Sequence, residues 1–356
     1  MQGQTIDDDE KYMRRCLQLA RGGEGYTQPN PMVGAVVVHN GKIIGEGFHR
    51  KCGEAHAEVN AIASVANEKM LCESTLYVSL EPCSHYGKTP PCAKLIIEKK
   101  IPRVVVATTD PFPEVSGRGI KMLQDAGIEV RTGVLEAEAR TLNKHFMTMQ
   151  TLGRPYIYLK WAQSADGFID NLRHSLNEPK TMISSAEGLR LVHQLRSHVA
   201  AIMVGTNTAL KDNPSLTVRH WTGQNPVRIL LDRELRVPND YNLFDNKAPT
   251  IVLTERHRTN FNNISYVNVD FSRNLVETIV PTLKEKHLDS LLVEGGALLH
   301  QSFLKEDLWD EIRIEVSPEH LGSGIKAPDI SEIRSSKGII NLDANHFIII
   351  HTRKEV

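Results

Sequence analysis

Four residues stand at spacings that suit metal chemistry: His56-Ala57-Glu58, and then Cys83 and Cys92 within Glu81-Pro82-Cys83-Ser84-His85-Tyr86-Gly87-Lys88-Thr89-Pro90-Pro91-Cys92. One imidazole and two thiolates make a tetrahedral site for Zn²⁺ with its fourth position open, and an open position separates catalytic zinc from structural zinc. Zinc held there would lower the pKa of a bound water to about 7. Glu58 cannot share the ligand direction of His56, but it can stand beside that water and carry its proton. The expected metal ligands are therefore His56, Cys83 and Cys92, with Glu58 as the catalytic acid and base.

His-x-Glu followed by Pro-Cys is the order found in zinc nucleobase deaminases. Here eight residues separate Cys83 from Cys92, where two are usual. Pro-Cys-Ser-His-Tyr-Gly-Lys-Thr-Pro-Pro-Cys after His-Ala-Glu resembles the deaminase domain of the bifunctional deaminase/reductase family of riboflavin biosynthesis. The bland alternatives are a structural zinc site or buried free thiols, since cysteine is often buried. A closed site would want a fourth protein ligand, and Cys16, Cys52 and Cys72 lack comparable spacing. The resemblance implies a cytidine deaminase-like fold and a substrate pocket that includes Asn30 of Pro29-Asn30-Pro31-Met32-Val33-Gly34, together with His49, His85, Lys88, Thr89 and Asp110. Asp110-Pro111-Phe112-Pro113 departs from the family's usual Asp-Pro-Asn-Pro, so no amide role passes to Phe112.

The elements that must position these residues alternate between strand and helix. Tyr12, Met13, Cys16, Leu17, Leu19 and Ala20 lie at helical spacing within Asp7 to Gly22. A proline-bracketed turn enters the apolar strand ending at Val38, and Asn40-Gly41 predicts a hairpin into Lys42 to Gly47. Arg103 to Thr109 reads as a strand, and Gly117 to Ala126 and Leu135 to Met149 as helices around a short strand, Gly127 to Arg131. The alternation predicts a three-layer α/β domain with a mixed sheet.

Thr151-Leu152-Gly153-Arg154-Pro155 marks a boundary, with domains expected over 1–151 and 155–356. Strands are predicted at Tyr156 to Trp161, Ala200 to Val204, Val227 to Leu231, Thr250 to Leu253 and Leu291 to Val293, with helices at Ala186 to Arg196 and Leu275 to Lys286. No Gly-x-Gly-x-x-Gly run supports a Rossmann domain. Leu159 to Gly167, Val204 to Thr208, Asp212 to Arg219 and Val293-Glu294-Gly295-Gly296 resemble the reductase domain of the same family, which implies a dihydrofolate reductase-like α/β fold using NADPH. The resemblance assigns Lys160, Lys180, Arg196, Leu216, Arg219 and Glu294 to substrate, and Gln163, Met182, Gly205, Thr208, Asp212, Gly295 and Gly296 to the cofactor. Arg196 and Arg219 offer bidentate contacts to a substrate phosphate. Met182-Ile183-Ser184 replaces the family's Trp-Ile-Thr, and Ser184 is expected to cap the following helix.

With 356 residues, 40% hydrophobic and 24% charged, the chain is an ordinary globular one, too long for a single core. A net charge of -1 advertises no basic face for nucleic acid and no polybasic membrane patch. The residues from Met1 to Glu10 carry no apolar run, no segment is long enough to span a membrane, and five cysteines suit a reducing compartment, so a cytoplasmic protein is expected. Association into a homo-oligomer stays open. The expected function is deamination of a diaminopyrimidinone phosphoribosylamine followed by NADPH-dependent reduction of its ribose. The alternatives are a deaminase of another nucleobase or nucleotide with an accessory domain, a reductase with an inert deaminase half, and a zinc-stabilised binding protein.

Overall fold

The computed structural model describes residues 8–85, 90–112, 116–175 and 178–353, and the chain divides into two compact units, Met1–Gly153 and Arg154–Val356. In the first unit the order is α1 (Asp8–Ala20), β1 (Gly34–His39), β2 (Lys42–Phe48), α2 (Ala57–Ala63), β3 (Thr75–Val78), α3 (Cys92–Glu98), β4 (Arg103–Val106), α4 (Arg118–Asp125), β5 (Glu129–Arg131), α5 (Glu136–Leu142) and α6 (Lys144–Leu152). The sheet order is β2-β1-β3-β4-β5, antiparallel around β1 and parallel from β3 to β5.

Both faces of this sheet are covered. Ala35 and Val37 pack with Ala57, Ala61 and Ile62 of α2, Ala93 and Ile96 of α3 and Leu123 of α4. Val36 and Val38 pack with Met13, Cys16 and Leu17 of α1. A strand buried on both sides reads as an unbroken apolar run, which is why β1 was legible without alternation. Asn40 (φ 46°) and Gly41 (φ 74°) both take the left-handed conformation that a two-residue hairpin requires. At Gly47 a Cβ would come within 2.3 Å of the Ala61 nitrogen, so only glycine lets β2 approach α2, the helix that carries Glu58. Asp9 accepts from Arg103, Tyr77 and Arg131, joining α1 to β4, β3 and β5, and the Arg103 guanidinium leads in holding its carboxyl well below the usual carboxylate range.

The helix expected from Leu135 to Met149 is two helices. They part at buried Asn143, whose Oδ1 accepts from the Met32 N–H at 2.8 Å and whose Nδ2 donates to the Met32 carbonyl at 2.9 Å. Its side chain serves as a short piece of sheet for Met32, two residues beyond Asn30.

The second unit contains β6 (Tyr156–Gln163), β7 (Phe168–Asp170), α7 (Ala186–His198), β8 (Ala201–Gly205), α8 (Thr206–Asp212), β9 (Val227–Leu231), β10 (Thr250–Thr254), β11 (Ile264–Asn268), α9 (Leu275–Glu285), β12 (Ser290–Val293), α10 (Ala297–Lys305), β13 (Glu311–Val316), β14 (Ile325–Lys326), β15 (Ser335–Asn341) and β16 (Phe347–Arg353). Nine strands form one sheet in the order β11-β10-β9-β8-β12-β6-β13-β16-β15, parallel as far as β13 and antiparallel beyond, while β14 pairs with β7. Residues of α9 and α10 (Ile279, Leu283, Phe303) cover one face against Ile157, Met203 and Val293; Leu195 of α7 and Ala209 of α8 cover the other against Tyr158, Ile202 and Leu292. The cap of α7 is Ser185, not Ser184: Ser185 has the extended backbone of an N-cap, and its Oγ accepts from the Gly188 N–H at 3.0 Å. Among the described residues no helix is long and apolar enough to cross a membrane.

Candidate active sites

Two helix starts and a loop bring the proposed metal ligands together. His56 is the N-cap of α2, Cys92 is the first residue of α3, and Cys83 lies beyond β3. His56 Nδ1 lies 3.3 Å from Cys92 Sγ and 3.6 Å from Cys83 Sγ. Bonds of about 2.0 Å to nitrogen and about 2.3 Å to sulfur at a tetrahedral angle give an N···S edge of about 3.5 Å, so the three atoms fit zinc. Among the described residues they are the one group of three or more His, Cys, Asp or Glu whose ligand atoms lie within 4.8 Å of one another. The Cys83 thiol is pulled down to about 4, first by the Cys92 thiol and then by His56 and the Cys92 N–H, while Cys92 is pushed up by Cys83 and by burial. The other three cysteines lie apart from this cluster, Cys16 in the core and Cys52 and Cys72 exposed.

Glu58 sits in the first turn of α2, only 3% exposed, against Cys92. Burial pushes its carboxyl up to about 7, with the charge of Cys83 adding. It faces a cavity of about 270 Å³ whose walls include Asn30, His49, His56, Cys83, His85 and Asp110. His49 Nδ1 lies 3.1 Å from the Ala55 carbonyl and its Nε2 3.4 Å from Asn30 Nδ2, which fixes a neutral ring donating at Nδ1 and accepting at Nε2. Burial keeps that ring neutral by lowering its pKa, and burial raises that of Asp110. Lys88 and Thr89 lie outside the described residues.

Three participants were not foreseen. Phe146 and Gln150 of α6 line the cavity. Buried Glu81 accepts from the backbone N–H groups of Asp110, Gly117, Gly119 and Ile120, tying the Asp110 segment and the start of α4 to the residue two before Cys83. A charge between an apolar strand and a metal ligand was the available signal for Glu81. For Phe146 and Gln150 it was only their i,i+4 spacing, which marks a shared helix face but not its direction.

In the second unit a cleft of about 710 Å³ is lined by Lys160, Lys180, Met182, Gly205, Thr208, Asp212, Glu294, Gly295 and Gly296. Gln163, Arg196, Leu216 and Arg219 are not on its walls. Arg196 instead donates from Nε and Nη2 to the Glu294 carboxylate at 2.9 and 2.6 Å, and from Nη1 to the Thr217 carbonyl. Its fork, expected to meet a phosphate, is turned onto a carboxylate that lines the cleft. Gln163 accepts from the Trp161 indole at 2.9 Å, Leu216 is buried, and exposed Arg219 donates to Thr217 Oγ1. Lys160 Nζ stands 3.9 Å from Glu315 Oε2, and burial lowers its pKa against the pull of Glu294 and Glu315. Arg173, unmarked by any sequence signal, bridges Asp170 and Asp212 at 2.7 and 2.6 Å on the same wall. The cleft has the glycine-faced floor a dinucleotide needs: a Cβ on Gly205 would meet nothing within 4 Å, and Gly296 takes a left-handed φ of 42° where α10 begins.

A deaminase-type metal pocket on one mixed α/β sheet and a glycine-floored cleft on another define a zinc deaminase joined to a reductase. Residues 6–108 match the cytidine and deoxycytidylate deaminase zinc-binding region, and residues 155–348 match the RibD C-terminal domain. The chain is 46% identical to riboflavin biosynthesis protein RibD of Aquifex aeolicus over 92% of this chain and 91% of the relative, and 43% identical to that of Bacillus amyloliquefaciens over 90% and 87%. A solved structure from Thermotoga maritima, described as a diaminohydroxyphosphoribosylaminopyrimidine deaminase/5-amino-6-(5-phosphoribosylamino)uracil reductase, is similar with a TM-score of 0.87 and 37% identity, covering 98% of this chain and 99% of that one. The chain belongs to the riboflavin biosynthesis protein RibD family.

Proposed function

We infer that the chain catalyses two consecutive steps of riboflavin synthesis: hydrolytic deamination of 2,5-diamino-6-(5-phosphoribosylamino)pyrimidin-4-one, then reduction of the ribosyl group of the resulting 5-amino-6-(5-phosphoribosylamino)uracil to ribitylamino. The observation that carries this is the convergence of His56, Cys83 and Cys92 beside Glu58 on the wall of a cavity with Asn30, His49 and Asp110, in a chain similar to RibD proteins over nine-tenths of its length. Residues 1–151 are assigned the first step and 155–356 the second. The setting is the cytoplasm and the partners are small phosphorylated pyrimidines, with neither nucleic acid nor membrane involved.

In the first step His56, Cys83 and Cys92 would hold zinc, which when bound would acidify water and so make the nucleophile available at neutral pH. Glu58 would take one proton from the attacking water and give it to the ring nitrogen next to the amine-bearing carbon, then take the second proton from the newly added hydroxyl and give it to the amine as the carbon–nitrogen bond breaks. Asn30, fixed by His49, offers its amide to the ring edge, and Asp110, whose N–H donates to Glu81, lines the same cavity. Water supplies the oxygen of the new carbonyl and ammonia leaves.

In the second step bound NADPH would supply hydride to ribose C1 of the open-chain imine while the imine nitrogen takes a proton from solvent, and the protein aligns and charges the site. Glu294, held by Arg196, and Lys160 face the substrate, while Gly205, Gly295 and Gly296 leave room for the cofactor's backbone. Supplying the diaminopyrimidinone phosphoribosylamine with NADPH, and following ammonia and nicotinamide absorbance separately, tests the assignment. Ammonia release without NADPH, and NADPH oxidation only after deamination, are expected; oxidation without prior ammonia release overturns the order of steps.

A further inference from the structure

The Glu294-Gly295-Gly296 turn presents a carboxylate to the cleft on its first residue and opens α10 after its last, yet two of its three residues have no side chain to hold it. Gly295 packs so closely that a Cβ would come within 2.9 Å of Val204 Cα, and Gly296 has a left-handed φ of 42°. The restraints come from beneath. The Glu294 N–H donates to the Met203 carbonyl at 3.0 Å. His300, one turn into α10 and 1% exposed, places Nε2 3.1 Å from the Val293 carbonyl and Nδ1 3.1 Å from the Gly296 carbonyl, the two that flank the turn. Its ring lies against Trp161 with centroids 5.3 Å apart, and both side chains reach the cleft wall.

A histidine that merely filled core volume would need one partner for its one N–H in the neutral form. This ring instead spans the end of β12 and the start of α10, so whichever nitrogen carries the proton, it restrains one side of the turn or the other. We propose that His300 is a positioning residue for the reductase step: its one N–H, donated to the Val293 or the Gly296 carbonyl, ties α10 to the Glu294-Gly295-Gly296 turn and sets its height, so that the Glu294 carboxylate and the glycine floor meet substrate and dinucleotide together. The proposal rests on the cleft being the reductase site. In this turn the Glu294 carboxylate and the Gly295-Gly296 backbone are consecutive and both line the cleft, so a small tilt moves both.

The test compares the full chain with His300→Leu, which keeps apolar bulk, and His300→Gln, which keeps a donor. NADPH is titrated while tryptophan and nicotinamide emission are followed, and kcat and KM are measured for the reduction. His300→Leu should bind NADPH about tenfold more weakly, the size expected from losing roughly one hydrogen bond's worth of restraint, and lower kcat more than it raises KM for the pyrimidine. His300→Gln should lie within about threefold of wild type. Equal NADPH affinity in wild type and His300→Leu overturns the proposal, as does a glutamine variant as weak as the leucine one. Should His300→Leu not fold, His300→Asn, too short to span from α10 to Val293, takes its place and must bind weakly where glutamine binds well; equal binding again overturns it. A wild-type chain that binds no NADPH sinks the assignment of the cleft itself, a result distinct from any behaviour of the variants.

Discussion

Glu58 lies in the first turn of α2, two residues from a ligand and packed against Cys92, so it is close enough to serve the metal site without belonging to it. Replacing it with glutamine keeps volume and hydrogen-bonding capacity and removes the ability to take a proton. Glu58→Gln should therefore retain zinc at the wild-type stoichiometry, measured by atomic absorption, while ammonia release falls by about 10² to 10⁴-fold. Zinc lost together with activity would make Glu58 a residue that retains metal and not one that moves protons. The convergence of His56, Cys83 and Cys92 beside Glu58 was legible because this chemistry tolerates few residue types and short, ordered spacings. The partner of Arg196 was not: Glu294 lies 98 positions away, and from sequence an arginine fork suits phosphate as well as carboxylate. Arg173 was invisible because its role depends on Asp212 of α8, 39 positions away, meeting the fork that already pairs with Asp170 three residues before it.

Elements were legible where hydrophobic runs are continuous. The five strands expected in the second half are β6, β8, β9, β10 and β12, each with parallel neighbours and most positions buried. The strand β13, between β6 and β16, escaped notice because Glu311, Arg313 and Glu315 interrupt it, yet Glu311 and Glu315 are buried and partnered by Arg313 and by Ser185 and Lys160. The break between α5 and α6 escaped for a different reason. Asparagine is tolerated in helices, and nothing local says that the Asn143 amide is spent on Met32 across 111 positions. That clamp holds the chain two residues beyond Asn30, so its loss should be felt in the pocket. Asn143→Ala removes two buried hydrogen bonds and should lower stability by about 2 kcal/mol, read from chemical denaturation. It should also raise the deaminase KM several-fold while leaving zinc content unchanged. An unaltered KM at reduced stability would confine Asn143 to holding the fold.

The two units each have a core of their own, with separate clusters on each face of each sheet. The metal cavity is lined by residues between Asn30 and Gln150, and the glycine-floored cleft by residues between Lys160 and Ile325. Among the described residues none lines both, so the two chemistries should be separable by removing what only one of them uses. Zinc held by His56, Cys83 and Cys92 would link α2, α3 and the loop that carries Cys83, and 1,10-phenanthroline would remove that link. Ammonia release should then fall to background and return on adding zinc. Reduction of 5-amino-6-(5-phosphoribosylamino)uracil by NADPH, supplied directly, should stay within about twofold of its starting rate, because neither the cleft nor the sheet beneath it draws on that ion. Loss of both rates on chelation, with both restored by zinc, would mean that the reductase cleft depends on the metal after all and that the two sites do not work as separate catalysts.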